Sequence, residues 1–294
     1  MTAPAGARPG GLPGAGGADA ALRAAAARLA SASDTARLDA ELLMAHAAGL
    51  SREELILKLR DLPEPEDFAA LVERRLAHEP VAHITGTRDF WTLSLAVSSD
   101  VLTPRPDSET LLDAAVGHYA ATGGAPERIL DLGTGSGALL LAALDEWRGA
   151  TGLGIDASEA ALAVARANAQ RCRLAERAAF RKGDWLAGVE GRFDLVLANP
   201  PYIATHCLLP RDVAEYEPAM ALYGGADGLD AYRAIAPELA RVVAPGGLAL
   251  FEIGFDQGES AGALFADQGF SVVVRPDLAG RARCLEMTLR QPLG

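Results

Sequence analysis

From Arg128 onward the chain alternates short apolar runs with helical periods, and this alternation restricts the fold more than any other feature. RILDL, GLGID, AAFRKGD and FDLVLAN read as strands, with helices expected from about 136 and about 158. After an irregular stretch the pattern resumes with a helix near 229–243, the strand LALFEI, a helix near 257–268 and closing strands near 270–275 and 283–289. Strands separated by helices join through right-handed crossovers into a parallel sheet covered on both faces, an α/β fold. The last two strands are linked by only a short loop, so they are expected to pair antiparallel at the sheet edge.

The N-terminal third reads differently. Residues 1–17, rich in Gly and Pro, read as a disordered tail. Residues 18–82 form a helical domain by pattern, a small bundle of four short helices. Leu22, Ala26 and Leu29 share a face of the first; Ser33 or Asp34 is expected to cap the second, which Gly49 ends. Ser51 and Glu54 have capping-box spacing, and Pro63 and Pro65 open the fourth helix. Between 83 and 103 the period changes to the alternation of Phe90–Val97, a β-hairpin linker, and a helix is expected at about 107–120. The α/β domain then occupies 104–294.

Composition narrows the partners. With 39 Asp and Glu against 27 Lys and Arg in 294 residues, the net charge is −12 and the pI about 4.9, which argues against a broad basic face for nucleic acid. Cys172, Cys207 and Cys284 are too few and too scattered for a disulfide framework and fit a reducing cytosol. The five histidines have no ligand spacing, so no metal is expected. No apolar run reaches the ~18 residues of a membrane span.

Two motifs carry chemistry. Asp131-Leu-Gly133-Thr134-Gly135-Ser136-Gly137 joins a strand to a helix, and its glycines let a ligand lie against the backbone. Gly133-x-Gly135-x-x-Ala138 also fits a dinucleotide fingerprint, and Asp156, 23 residues after Gly133, suits ribose hydroxyls in either case. The Asp131 carboxylate opposes a pyrophosphate and favours a ligand with an ammonium or sulfonium group, as in S-adenosylmethionine. The structural alternative, the weaker of the two, is that it merely hydrogen-bonds loop amides.

Asn199-Pro200-Pro201-Tyr202 directly follows the strand FDLVLA, at the carboxyl edge of the sheet beside the glycine loop. Two prolines donate no amide hydrogen and leave carbonyl acceptors. The Asn199 side-chain oxygen and the Pro200 carbonyl can each accept one hydrogen of a substrate NH2, and Tyr202 offers a flat ring to cover a planar group. A plain Pro-rich turn is the structural alternative. Holding both hydrogens of a carboxamide orients a nitrogen whose lone pair is delocalised, and proximity to a methyl donor does the rest.

The glycine loop followed by Asn-Pro-Pro-Tyr resembles the seven-stranded, Rossmann-like S-adenosylmethionine-dependent methyltransferases of planar NH2 groups. RLDAELLMAH (37–46), EPVAHITGTRDFW (79–91), LTPRPDSETLL (102–112), EYEPAMAL (215–222), DGLDAYR (227–233) and FEIG (251–254) narrow the resemblance to the HemK-type release factor glutamine methyltransferases, over about 20 to 290. The resemblance implies a cytoplasmic enzyme of translation termination that methylates N5 of the glutamine in the Gly-Gly-Gln motif of class I peptide chain release factors. S-adenosylmethionine would leave as S-adenosylhomocysteine, and the helical bundle would help to dock the release factor.

By matching positions, Gly133, Thr134, Gly135, Ser136 and Gly137 would line the methionine part of the donor and Asp156 would bind its ribose. Trp185 would border the adenine, unless it is an ordinary core aromatic, and Asp184 would contact the exocyclic amine. Asn199 would touch donor and substrate, with Pro200, Pro201 and Tyr202 holding the glutamine; Asn199, Pro200 and Tyr202 are the expected catalytic set. Arg105 and Glu109 are expected neighbours of the substrate. The loop between Tyr202 and Glu217 departs from the family pattern, and Ser108 is a mild variation within Pro-Asp-Ser-Glu. The sister methyltransferase of a large-subunit ribosomal protein is the alternative, although its Pro-Arg-Ser-Pro linker differs from Pro104-Arg-Pro-Asp107 here. A DNA methyltransferase would bring a basic recognition region. A monomer without direct nucleic-acid or membrane contact is the default expectation.

Overall fold

The computed structural model describes residues 17–290, so the expected tail lies outside the described residues except for Gly17, which opens the first helix. The chain divides into two compact units, the first ending at Thr85 and the second starting at Gly86.

The first unit is helical: α1 (Gly17–Leu29), α2 (Ala36–Ala48), α3 (Arg52–Lys58), α4 (Phe68–Leu76) and α5 (Val81–Thr85). Ala18, Leu22, Ala25 and Leu29 fall on one stripe of α1 and pack with Leu43 and Met44 of α2, Leu55, Phe68 and Val72. Gly49 ends α2 in the left-handed conformation at φ 64°, its amide returning to the carbonyls of Ala45 and His46. The Ser51–Glu54 capping box is formed, with both bonds at 3.1 Å.

Three local expectations differ from the structure. The N-cap of α2 is Thr35, not Ser33 or Asp34; the Ser33 hydroxyl accepts the Thr35 amide instead. The fourth helix starts at Phe68, three residues beyond Pro65. A fifth helix, α5, forms where the Pro80 carbonyl takes the amides of His83 and Ile84, and five residues are too few for a periodic signal.

The second unit opens with a hairpin, β1 (Thr87–Phe90) against β2 (Leu93–Ala96), whose two-residue turn at Trp91-Thr92 falls inside the alternating run. Trp91 takes φ 54° there, and its amide is held by the Glu109 carboxylate at 2.8 Å. A short 3-10 turn, Pro106–Ser108, leads into α6 (Glu109–Thr122). The main sheet contains β3 (Arg128–Leu132), β4 (Thr151–Asp156), β5 (Ala178–Lys182), β6 (Phe193–Ala198), β7 (Val243–Glu252), β8 (Phe270–Pro276) and β9 (Ala282–Leu289). Its order is β5-β4-β3-β6-β7-β9-β8, parallel from β5 to β7. The closing hairpin is antiparallel, with β9 inserted between β7 and the edge strand β8.

The sheet is covered by α6, α7 (Ala138–Glu146), α8 (Glu159–Arg171), α10 (Asp230–Val242) and α11 (Gly258–Ala266), while the short α9 (Arg211–Tyr216) lies in the loop after β6. The two-residue period of β6 serves two cores. Val196 and Ala198 pack with Tyr232, Ile235 and Phe265 of α10 and α11, whereas Leu195 and Leu197 pack with α6 and α7 through Leu112, Leu140 and Leu144. Burial on both faces explains why these strands read as continuous apolar runs.

Asn168 of α8 is completely buried and ties three pieces of this unit together. Its Oδ1 accepts the Ala96 amide at 2.7 Å, and its Nδ2 donates to the carbonyls of Ala96 at 3.0 Å and Ser136 at 2.9 Å. Asn168→Ala strands these groups, each costing on the order of 1–3 kcal/mol when left unpaired, so a loss of about 2–5 kcal/mol in urea unfolding is expected. A variant within about 0.5 kcal/mol of the parent, the usual range for inert surface changes, would show that the clamp contributes nothing.

Candidate active site

The parallel strands β3, β4, β6 and β7 all end at one edge of the sheet, at Leu132, Asp156, Ala198 and Glu252. The loops that follow β3, β4 and β6 surround a cavity of about 310 Å3 within the second unit. Its lining includes Asp131, Gly133, Thr134, Gly135, Ser136, Asp156, Asp184, Trp185, Asn199 and Pro201, together with Arg105 and Ser108. Phe90, Val101 and Leu102 complete one wall and Pro218, Met220 and Ala221 lie on another.

The glycine loop is shaped as its sequence requires. Gly133, Gly135 and Gly137 have φ of 68°, 54° and 83°, a region that side chains disfavour. A Cβ on Gly133 would sit 3.4 Å from the Trp185 ring, so the bare backbone and the indole together form a flat cradle. Asp156 holds the loop from the side: its Oδ2 accepts the Gly135 amide at 2.9 Å and its Oδ1 the Ser158 amide at 2.8 Å. Each oxygen keeps a further lone pair for a ligand hydroxyl.

Asp131 decides the ligand's polarity. It is buried, and its Oδ2 accepts the Thr134 hydroxyl at 2.6 Å. Burial pushes its pKa up to about 7; the Thr134 hydroxyl and the Leu140 backbone amide oppose this and the charge of Asp156 adds to it. A carboxylate in the cavity lining suits a cationic donor and repels a pyrophosphate. The cradle, the Asp156 lone pairs and this carboxylate fit S-adenosylmethionine, which carries an ammonium, a sulfonium, ribose hydroxyls and a flat base.

The tetrapeptide after β6 is held from behind. The Asn199 Nδ2 donates to the Ser108 hydroxyl at 3.0 Å, which in turn donates in a short bond to Glu252 Oε2. The Tyr202 hydroxyl reaches Glu252 Oε1 at 3.1 Å, and Gln257 Nε2 holds the Tyr202 carbonyl at 3.0 Å. Among the described residues no donor reaches Asn199 Oδ1 or the Pro200 carbonyl. Glu252 is buried, and burial raises its pKa to about 7 against the pull of Ser108, Arg283 and Tyr202. Burial and the neighbouring Glu252 push the Tyr202 hydroxyl far above its ordinary range, so it stays protonated as a donor.

Not every expected site residue lines the cavity itself. Gly137 is outside the cavity lining; a Cβ there would meet Leu141 at 3.2 Å and Ala165 at 3.4 Å, so it serves helix packing. Pro200 and Tyr202 also stand outside the lining. Glu109 is spent on the Trp91 amide. Arg105 lines the cavity but pairs with the buried Glu217 at 2.5 Å, tying the 102–105 segment to the loop after the tetrapeptide. Sequence reasoning missed Ser108, Glu217, Glu252 and Gln257, whose partners lie 50 to 144 residues away in the chain.

Comparison with known proteins agrees with this geometry. Residues 20–86 match the family model of the PrmC N-terminal domain, and residues 125–272 match a methyltransferase domain model. A release factor glutamine methyltransferase of Caulobacter vibrioides is 46% identical over 250 residues, covering 82% of this chain and 84% of that protein. One from Rhodospirillum rubrum is 44% identical over 255 residues, covering 85% and 78%. The chain belongs to the release factor glutamine methyltransferase family. A solved methyltransferase structure from Pyrococcus furiosus shares the fold at 19% identity and a TM-score of 0.50, covering 73% of this chain and 95% of that one.

Two predictions concern this site. Because Asp131 must ionise to meet a cation and its free-state pKa is about 7, donor affinity should rise about tenfold per pH unit from pH 5.5 towards 7, with release of a proton. Calorimetry in buffers of different ionisation enthalpy reads this; an Asp131→Asn variant with the same pH slope would assign the proton to another group. Gly228 takes φ 78°, and a Cβ there would come within 2.2 Å of the Tyr202 carbonyl oxygen. Gly228→Ala should therefore displace the tetrapeptide, with methyl transfer lost and donor binding kept; full turnover would show that the carbonyl yields freely.

Proposed function

We propose that this protein transfers the methyl group of S-adenosylmethionine to the side-chain amide nitrogen (N5) of the glutamine in the Gly-Gly-Gln motif of class I release factors. The carrying observation is the pair of acceptors at the end of β6, Asn199 Oδ1 and the Pro200 carbonyl, beside a cavity that suits a cationic donor. When bound, S-adenosylmethionine supplies an electrophilic methyl on sulfur. The chain's own residues orient and desolvate the amide. Asn199 Oδ1 and the Pro200 carbonyl each accept one N–H, which fixes the plane of the carboxamide and draws electron density toward nitrogen.

Asp156 holds the ribose, Asp184 and Trp185 meet the adenine, and Gly133, Thr134, Gly135 and Ser136 carry the methionine part. Pro201 sits where the glutamine enters, and Arg105 acts through Glu217 rather than on the substrate. No strong base is required before transfer, because the N-methylated amide sheds its proton readily to water. The helical unit recognises the release factor, residues 83–103 join it to the catalytic domain, and the enzyme acts as a cytoplasmic monomer without nucleic acid. Among the described residues no helix is long and apolar enough to cross a membrane.

Purified protein, radiolabelled donor and, separately, release factor, ribosomes or DNA test the reading. Label on the release factor glutamine is expected; label confined to a ribosomal protein or to DNA overturns it. Asn199→Ala should keep donor affinity and lose turnover by about 10²-fold or more, the scale at which a misplaced reactant slows transfer. Unchanged turnover would remove Asn199 from the reaction.

A further inference from the structure

We propose that Ser108, backed by Glu252, is a positioning residue that decides which end of the Asn199 side chain faces the substrate. The inference rests on the glutamine-transfer reading above. An Asn amide has two ends of nearly the same shape and opposite hydrogen-bonding character: its oxygen accepts and its nitrogen donates. Only the oxygen suits a substrate NH2, since an Asn199 flipped by half a turn would set N–H against N–H. Nothing in the tetrapeptide itself selects the useful orientation, because the flanking Pro200 and Pro201 offer no amide hydrogen to hold the oxygen or repel it.

The selection comes from behind the site. Ser108 is buried at the end of the 3-10 turn, and its hydroxyl lies between Asn199 Nδ2 at 3.0 Å and Glu252 Oε2. A hydroxyl has one proton. Alone, Ser108 could give that proton to an Asn199 oxygen as easily as it could accept from the nitrogen, and the amide would be free to turn. Glu252 removes this freedom. In its ionised form Glu252 takes the Ser108 proton on Oε2 and the Tyr202 proton on Oε1, leaving Ser108 only lone pairs to offer Asn199. The Asn199 nitrogen must then face Ser108 and the oxygen must face the cavity.

Glu252 is itself fixed from all sides. Its backbone carbonyl accepts the Tyr232 hydroxyl at 2.8 Å, and the Arg283 guanidinium lies near enough to oppose the effect of burial. A buried carboxyl is costly in a place where an apolar side chain would pack at less expense. Here it acts on both ends of one tetrapeptide.

The Thr and Val side chains have the same shape and differ by one hydroxyl, so they separate positioning from packing. Ser108→Thr is expected to keep turnover on the release factor near the parent value. Ser108→Val should lower kcat on the order of 10²-fold, the cost of misorienting a reacting group, with little change in KM and in donor affinity. Glu252→Gln, which keeps an acceptor oxygen, should retain more turnover than Glu252→Met, which leaves the Ser108 proton free to pull Asn199 round. Donor binding and melting of each variant identify any that fail to fold, and Ser108→Ala replaces Ser108→Val if it is among them. Parent protein that labels no release factor overturns the functional reading and this inference with it. Parent protein that labels it, with Ser108→Val or Ser108→Ala as fast as Ser108→Thr, overturns the inference alone.

Discussion

Parallel pairing of β3, β4, β6 and β7 is the constraint from which the site follows. Strands that run the same way must be joined by crossovers, and the crossovers place every strand's carboxyl end at one edge. Asp131 sits within β3, Asp156 ends β4, Asn199 follows β6 and Glu252 ends β7, so four polar residues from distant sequence meet there. The sheet can hold this register because both its faces are buried. Leu195 and Leu197 anchor β6 to one core while Val196 and Ala198 anchor it to the other. A one-residue slip of β6 would exchange those faces and carry Asn199 out of place.

That edge contains two buried carboxyls with opposite tasks. Asp131 has one oxygen engaged by Thr134 and belongs to the cavity lining, where its ionised form suits a positively charged ligand. Glu252 has both oxygens engaged by hydroxyls, so its need for donors is met internally. Burial raises both to about 7, yet the difference in partners separates a ligand-facing group from a supporting one. The loops around them are equally specific. Gly224 and Gly228 bring a second strip of backbone against the tetrapeptide so closely that a Cβ would come within 2.3 Å of the Pro201 carbonyl oxygen and 2.2 Å of the Tyr202 one. The tetrapeptide is thus braced by side chains on one side and by bare backbone on another.

Local patterns made the sheet and the two chemical motifs legible. RILDL and FDLVLA are apolar apart from Arg128, Asp131 and Asp194 because both faces are covered, and the glycines and prolines mark turns that few other residues could make. What stayed hidden was long-range. The position of β9 inside the sheet, the Asn168 clamp and the Ser108–Glu252 pair each join segments tens of residues apart, and a lone Asn, Ser or Glu in a helix, turn or strand has no signature of its own partners. Gly137 and Glu109 have structural duties that the sequence did not reveal. Proximity in sequence to a motif suggested ligand contact, whereas the structure gives Gly137 to packing against Leu141 and Glu109 to the Trp91 amide.

The reaction explains why support matters more here than acid–base strength. A carboxamide nitrogen is a weak nucleophile toward carbon, and a sulfonium is already a good leaving group, so the protein gains most from holding the amide plane and the direction of approach. A strong base at the site would have little to remove before transfer and would add a charge that must be desolvated. Neutral acceptors, an amide oxygen and a proline carbonyl, avoid that cost. Their weakness as a device is that the amide can turn, and the correction has to come from a group that cannot. The proton order Asn199 to Ser108 to Glu252 supplies it, since the Ser108 hydroxyl has one proton and the ionised Glu252 carboxylate takes it. Placing the charged member of that series behind the tetrapeptide keeps it away from the substrate while its influence still reaches the reacting nitrogen.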